Sequence, residues 1–340
     1  MKVLVTGSAG FIGGYLVEEL LGRGFEVVGV DNLSKYGPIR HSYYDNPAFT
    51  FVEGDVKDTP LMVELMPDVD HVIAGAAMIG GISYFHTYAY DLLAENERII
   101  ASTCDAAIAT MQAGRPLQKV TYLSSSMVFE STDRWPSVEG DERRVPPPFS
   151  SYGFQKLAVE YFARAAWDQY QVPYTICRPF NCVGIGERRA LGDTAIESGN
   201  VTLAMSHVVP DLVHKVLAGQ DPLHLLGDGS QVRHYTYGAD LARGIVTAMV
   251  HPDATNEDFN LSTAESTTVI ELAELIWTKI NGDKPFSYTS DTPFEHDVQR
   301  RVPSTEKAAR VLGYTADTSL SDMLDEVIPW IRNAIAEGII

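Results

Sequence analysis

Residues 2–13 read Lys2-Val3-Leu4-Val5-Thr6-Gly7-Ser8-Ala9-Gly10-Phe11-Ile12-Gly13, and this stretch decides the fold. The first five residues form an apolar, β-branched run that reads as a buried strand, and three glycines follow at the point where a helix would begin. In that setting the first glycine permits a tight turn and the second lets backbone approach a pyrophosphate. The third allows the helix to pack closely on the strand, while the helix amino terminus presents free N–H groups to phosphate. Asp31 ends the next apolar run, Glu26-Val27-Val28-Gly29-Val30-Asp31, close to the offset of about 20 residues at which such turns carry an acid for the ribose. A carboxylate there accepts from ribose hydroxyls and repels a 2′-phosphate. Because Asn32-Leu33-Ser34 beside it holds no arginine, the pattern favours NAD over NADP. The candidate cofactor contacts from this reading are Gly7, Ala9, Gly10, Phe11, Ile12, Gly13, Asp31 and Asn32. Asp55 and Val56, just past a third strand, are placed to flank an adenine.

Working outward, the first 180 residues alternate between strand-like and helix-like segments, the pattern of a parallel sheet covered on both faces. Strands are expected at 2–6, 26–31, 50–54, 70–76, 119–124 and 174–178, with helices near 11–23, 59–66, 85–113 and 152–170. Residues 132–150, with Pro136 and Pro146-Pro147-Pro148, read as a loop. Past residue 180 the alternation weakens, with helices expected at 206–218 and 269–280 and a turn at Gly227-Asp228-Gly229. The expected fold class is α/β, a Rossmann-type doubly wound parallel sheet with a smaller mixed C-terminal substrate lobe. Residues 1–180 would form the dinucleotide domain, with elements near 230–260 returning to it, and 181–340 would form the lobe.

Composition narrows the function classes. A chain of 340 residues that is 45% hydrophobic can bury a large core. A net charge of −19 opposes nucleic acid and anionic membrane as partners, although a phosphate-bearing small molecule needs only a few local donors. Met1 leads straight into the first strand with no secretory signal pattern and no long apolar run follows, so the expected location is cytoplasmic. Cys104, Cys177 and Cys182 have neither CxxC spacing nor a histidine cluster, so reduced thiols and no metal site are expected.

A second pattern carries the chemistry. Ser124-Ser125-Ser126 closes the expected fifth strand, and Tyr152 and Lys156 stand four apart at the start of the next helix, on one face of it. An ammonium beside a phenol favours the phenolate and should lower the tyrosine pKa towards neutrality, which makes Tyr152 a candidate general base.

With these residues in place, the chain resembles the nucleotide-sugar epimerase/dehydratase family of extended short-chain dehydrogenases. The resemblance runs through GSAGFIG (7–13), GDV (54–56), AGAAM (74–78), Asn96, SSSMVF (124–129), YGFQK (152–156), RPFNCVG (178–184), SHVVPDLV (206–213), GDGSQVRHYTYGADLA (227–242) and VLGYTADTSL (311–320). It implies that Tyr152 is the catalytic base, Lys156 its partner and Ser125 the hydroxyl that bonds the substrate oxygen. It adds Ala76 to the cofactor contacts and makes Ser126, Asn181, Val208 and Arg233 substrate contacts, with Arg233 pairing to a nucleotide diphosphate. Dehydratases of this family carry Asp-Glu and decarboxylases a Glu just after the catalytic residue, where this chain has Ser126-Met127. The 3,5-epimerases share the segment Ile79-Gly80-Gly81-Ile82 but carry a cysteine at the place of Met127. Near the carboxyl end Phe294-Glu295-His296-Asp297 replaces the family's arginine, so Arg300 or Arg301 would supply the second phosphate contact, and Arg300 is the site residue expected.

The resulting expectation is an NAD-dependent enzyme that inverts C4 of a UDP- or GDP-linked sugar through a transient 4-keto intermediate. The alternatives are a 4-keto reductase or dehydrogenase, a 3,5-epimerase, and a non-catalytic dinucleotide sensor, which would not need the Tyr/Lys pair. Apolar helix faces within 85–113 and 152–170 suit a four-helix homodimer interface.

Overall fold

The computed structural model describes all residues except 80–87, 116, 192–195, 199–200, 204–206 and 293–297. Its centre is a seven-stranded sheet built from β1 (Lys2–Thr6), β2 (Glu26–Asp31), β3 (Phe49–Glu53), β4 (His71–Ala74), β5 (Lys119–Leu123), β6 (Tyr174–Pro179) and β7 (Glu257–Leu261). The order is β7-β6-β5-β4-β1-β2-β3, every pairing is parallel, and Leu4 lies between Val28 and Val72 at the middle of the sheet. The reversal of direction beside β1 creates the crevice at the carboxyl ends of the strands where open α/β sheets bind ligands.

Both faces are covered, as near-continuous apolar strands require. On one face α1 (Phe11–Gly22) and α6 (Gly238–Val250) bury Leu16, Val17, Leu20, Leu241 and Ile245 against the sheet. On the other, α2 (Thr59–Leu65), α3 (Ala89–Gln112) and α4 (Ser151–Tyr170) bury Met62, Ile100, Ala107, Val159 and Ala163. Local chemistry starts these helices. Ser150 accepts from the Gly153 amide at 3.0 Å at the head of α4, and Asp58 caps α2. A separate core lies between α5 (Val208–Leu217), α7 (Val269–Asn281) and α8 (Leu320–Ala336), with Trp277 and Leu324 fully buried. A capping box of Thr268 and Glu271 begins α7.

The expected strand 70–76 is shorter than its apolar run. After Ala74 the amides of Gly75 and Ala76 both bond the side chain of Thr6, its Oγ1 at 3.0 Å, rather than continuing the backbone ladder with β1. Helix α3 begins at Ala89, and residues 85–87 of the expected helix lie outside the described residues. Two helices, α6 and α8, and strand β7 had no counterpart in the sequence reading. Both α6 and β7 return to the sheet. Among the described residues no helix is long and apolar enough to cross a membrane.

Candidate active site

A cavity of about 460 Å³ lies above the carboxyl ends of β1, β2, β4 and β5 and extends under α5 and the strand Leu223–Leu226. At its sheet end the glycine turn is as tight as its sequence requires. Gly7 has φ +75°, and a Cβ there would stand 2.9 Å from Ala76 Cα, while a Cβ at Gly13 would stand 2.0 Å from the Gly7 carbonyl oxygen. Neither backbone atom can move aside, so only glycine fits either position. Gly7, Gly10, Phe11, Ile12 and Gly13 line the cavity, together with Ala76 from the loop after β4. That loop is held from below by buried Asn96, whose Oδ1 accepts from the Met78 amide at 2.7 Å and whose Nδ2 donates to the Met78 carbonyl at 2.9 Å.

Asp31 lines the cavity at the end of β2, accepting from the amides of Ala9 at 3.0 Å and Leu33 at 2.8 Å. The carboxylate therefore fixes the turn as well as lining the cavity. Asn32, which donates to Asp55 at 3.2 Å, lines the wall along with Asp55 and Val56. Ala9 alone of the expected cofactor residues is not on the wall; it is 5% exposed, and its amide points back to Asp31. A nucleotide-sized crevice with a glycine cradle at one helix start and an acid at the next strand end fits a dinucleotide.

Ser125, Tyr152 and Lys156 converge on the middle of the same wall. Lys156 Nζ donates to the Leu123 carbonyl at 2.9 Å and stands 5.9 Å from the centre of the Tyr152 ring. Ser125 stands beside Tyr152 on this wall, and its hydroxyl accepts from the Met127 amide at 3.2 Å. The expectation that Lys156 draws the phenol below its ordinary pKa does not hold here. Burial pushes Tyr152 up, and the groups that oppose burial are the Ser125 hydroxyl and the Arg301 guanidinium. Lys156 itself is pushed down to about 8, because its ammonium is buried.

Further along the wall are Ser126, Asn181, Val208 and Arg233. Asn181 follows β6 with φ +37° and donates to the His234 carbonyl at 3.3 Å; Arg233 Nη1 donates to the Val232 carbonyl at 3.0 Å. Arg300 is not brought to the site. Its guanidinium lies 5.1 Å over the Trp135 ring, and its carbonyl accepts from Trp135 Nε1 at 3.1 Å. Residues 299–301 run extended beside Val232, and along an extended chain neighbouring side chains take opposite sides, so Arg301 lines the cavity while Arg300 faces away. Residues 294–297 and 80–82, which bear on the family comparison, lie outside the described residues.

The sequence reading missed His207, Asp211 and Lys215, which recur every four residues from the N-cap of α5 into the helix and line the lobe end of the cavity, His207 paired with Glu187. Their helical spacing was the available signal. Cys104 and Cys177 are buried, unpaired and pushed up to about 11 and about 12 by burial, while Cys182 reaches the cavity wall. Met127, which also lines the cavity, puts a thioether where a carboxylate would serve dehydration.

Comparison with known proteins agrees with this geometry. A putative UDP-glucose 4-epimerase of Methanocaldococcus jannaschii is 28% identical over 332 residues, covering 97% of this chain and 98% of the relative. A UDP-glucuronic acid decarboxylase of Arabidopsis thaliana is 26% identical over 98% of this chain and 71% of its own length. The crystal structure of a UDP-glucuronic acid 4-epimerase from Bacillus cereus in complex with UDP-glucuronic acid and NAD superposes with a TM-score of 0.82, at 26% identity over 98% of this chain and 99% of the other. The sequence profile of the NAD dependent epimerase/dehydratase family matches residues 3–262, and the chain belongs to that family.

Proposed function

We propose that this protein is an NAD-dependent epimerase that inverts C4 of a nucleoside-diphosphate sugar through a transient 4-keto intermediate. One observation carries the reading: Ser125, Tyr152 and Lys156 stand together on a single cavity that begins at the Gly7 turn and continues to Arg233 and Arg301. Tyr152, as phenolate, takes the proton of the C4 hydroxyl, and Ser125 holds that oxygen beside it. Lys156 donates at the ribose side of the cofactor and keeps positive charge near the phenolate. Bound NAD supplies hydride acceptance from C4 and return of that hydride. Arg233 and Arg301, replacing Arg300 in that role, clamp the diphosphate while the sugar turns its other face. The remaining expected contacts, Ser126, Asn181 and Val208, enclose the sugar and the nucleoside. Asp31 and the glycine turn hold the adenosine ribose and pyrophosphate, with Asn32, Asp55 and Val56 beside the adenine and Ala76 behind the phosphates.

The nucleoside is uridine or guanosine in this proposal, and the relatives named for UDP-sugars favour the first. We further propose that residues 1–180 with 238–261 form the cofactor domain and that the rest forms the substrate lobe. The protein acts in the cytoplasm, in carbohydrate metabolism, as a homodimer. Tyr90, Phe154 and Tyr161, exposed on α3 and α4 at 77%, 47% and 61%, supply an apolar surface for a four-helix contact. A light-scattering mass of one chain would refute the dimer. The function is tested by incubating the purified protein with UDP-glucose, UDP-galactose, their uronic acids and GDP-sugars. A C4 epimer of any of them supports it, no epimer of any refutes it, and steady NADH turnover would make the enzyme a reductase instead.

A further inference from the structure

Two consecutive residues at the end of β5 are bonded to two turns of α4, and the next, Ser125, shares the cavity wall with Tyr152. Leu123 accepts from Lys156 Nζ at 2.9 Å, and Ser124 Oγ donates to Glu160 Oε1 at 2.7 Å. Tyr152, Lys156 and Glu160 recur every four residues and so share one helix face. The first two line the cavity; Glu160 lies behind it, with no exposure to solvent.

Glu160 is itself fixed. Its two carboxylate oxygens accept from Arg178 Nε and Nη2, both at 2.7 Å, and Oε2 also accepts from Arg164 at 3.1 Å. Arg178, fully buried on β6, also reaches Asp258 at 2.6 Å and Glu142 at 3.3 Å. Among the described residues, Glu142, Glu160 and Asp258 are the one carboxylate group close enough to share a cation, and the Arg178 guanidinium already meets all three. A buried ionic cluster adds little stability over an apolar core of the same shape, so stability alone does not account for one placed here. The Ser124 side chain joins this cluster to the strand end carrying Ser125, and its hydroxyl also lies 3.4 Å from the Lys156 carbonyl.

We propose that Ser124 and Glu160 are positioning residues: their hydrogen bond holds the end of β5 against α4 and thereby sets the placement of Ser125 relative to Tyr152. The inference rests on the reading of Ser125 and Tyr152 as the reacting pair. Neither Ser124 nor Glu160 touches substrate in this scheme. With the bond lost, the strand end keeps the Lys156 bond at Leu123 and the Ser124 amide on the Cys177 carbonyl at 2.9 Å, and the Ser125 hydroxyl drifts from the phenol.

The test compares Ser124→Ala with Asp258→Asn, which perturbs the same ionic cluster without touching Ser124. Full-length protein labelled with ¹³Cζ-tyrosine is examined by NMR, the Tyr152 resonance being identified by its loss in Tyr152→Phe. Ser124→Ala should move that resonance, and Asp258→Asn should leave it in place while lowering thermal stability more. In epimerisation assays Ser124→Ala should lower kcat about tenfold with KM within about twofold of wild type, the pattern of a misplaced catalytic group. An unmoved Tyr152 resonance in Ser124→Ala, an equal displacement in Asp258→Asn, or a wild-type kcat in Ser124→Ala would overturn the proposal. The NMR comparison needs no substrate. A wild-type protein that epimerises nothing would therefore refute the functional reading while this inference is still decided.

Discussion

Lys156 reaches past the phenol it was expected to acidify: its Nζ lies 5.9 Å from the centre of the Tyr152 ring and is bonded to the Leu123 carbonyl at 2.9 Å. The two groups are buried together, and burial moves them in opposite directions, Tyr152 above its ordinary value and Lys156 down to about 8. Proton loss from such a pair begins at the lower of the two steps, whichever atom finally carries the charge. Wild-type kcat/KM should therefore rise with pH to about 8 and then level. In Lys156→Met only the raised phenol remains to titrate, so the rise should move to higher pH. Activity at pH 7 should fall at least about a hundredfold. An unchanged pH profile in Lys156→Met would show that the pair is not coupled.

The two adjacent arginines should separate cleanly. Arg301 lines the cavity and its charge acts on Tyr152, whereas Arg300 stacks on Trp135. Arg301→Leu should raise KM for the nucleotide sugar at least about tenfold, the loss expected for one charge-assisted contact to phosphate. Arg300→Leu should leave KM within about twofold and cost at most about 1 kcal/mol of stability, as for an exposed cation over an aromatic ring. Steady-state kinetics and denaturant midpoints of the two variants decide it, and the reverse ranking would return the phosphate contact to Arg300.

Asp31 has two tasks in the proposed scheme, because its oxygens hold the Ala9 and Leu33 amides and it also lines the cavity where the ribose is proposed to lie. Asp31→Asn keeps the shape and removes the charge that repels a 2′-phosphate. NAD affinity should fall about tenfold and the preference over NADP should narrow, both measurable by fluorescence titration. If NADP is rejected as strongly by the variant, exclusion lies elsewhere in the wall.

Two glycines of α1 should respond in opposite ways to the same substitution. A Cβ at Gly13 would sit 2.0 Å from the Gly7 carbonyl, so Gly13→Ala should push the helix off the turn and abolish cofactor binding. Gly22, at the last turn of the same helix, has nothing within 4 Å of its Cβ position. Gly22→Ala should stabilise the fold by about 0.5–1 kcal/mol. Thermal unfolding of the two variants with and without NAD provides the measurement, and a Gly13→Ala protein that binds NAD normally would contradict the cradle.

The first half of the fold could be read from the sequence because each of its signals is local. Six of the sheet strands are short apolar runs, helices α1 to α4 follow them at short range, and the glycine turn and the Tyr152/Lys156 spacing are complete within a few residues. Strand β7, helix α6 and helix α8 were not read. The sequence Glu257-Asp258-Phe259-Asn260-Leu261 has too many polar residues to signal a buried strand, and it becomes one only because β6 offers it a parallel edge and Arg178 and Lys307 neutralise Asp258.

The sequence alone determined the strand–turn–helix with its glycine turn, the acid at Asp31 and the helical face carrying Tyr152 and Lys156, since each depends on spacing along one segment. Tertiary structure alone decided which of Arg300 and Arg301 meets the cavity, that Ala9 turns away from it, and that Ser124, Glu160 and Arg178 form one unit behind Tyr152 and Lys156. Those outcomes depend on contacts between strands and helices distant in the chain. They also depend on the burial that moves Tyr152 and Lys156 apart in pKa, and local spacing encodes neither.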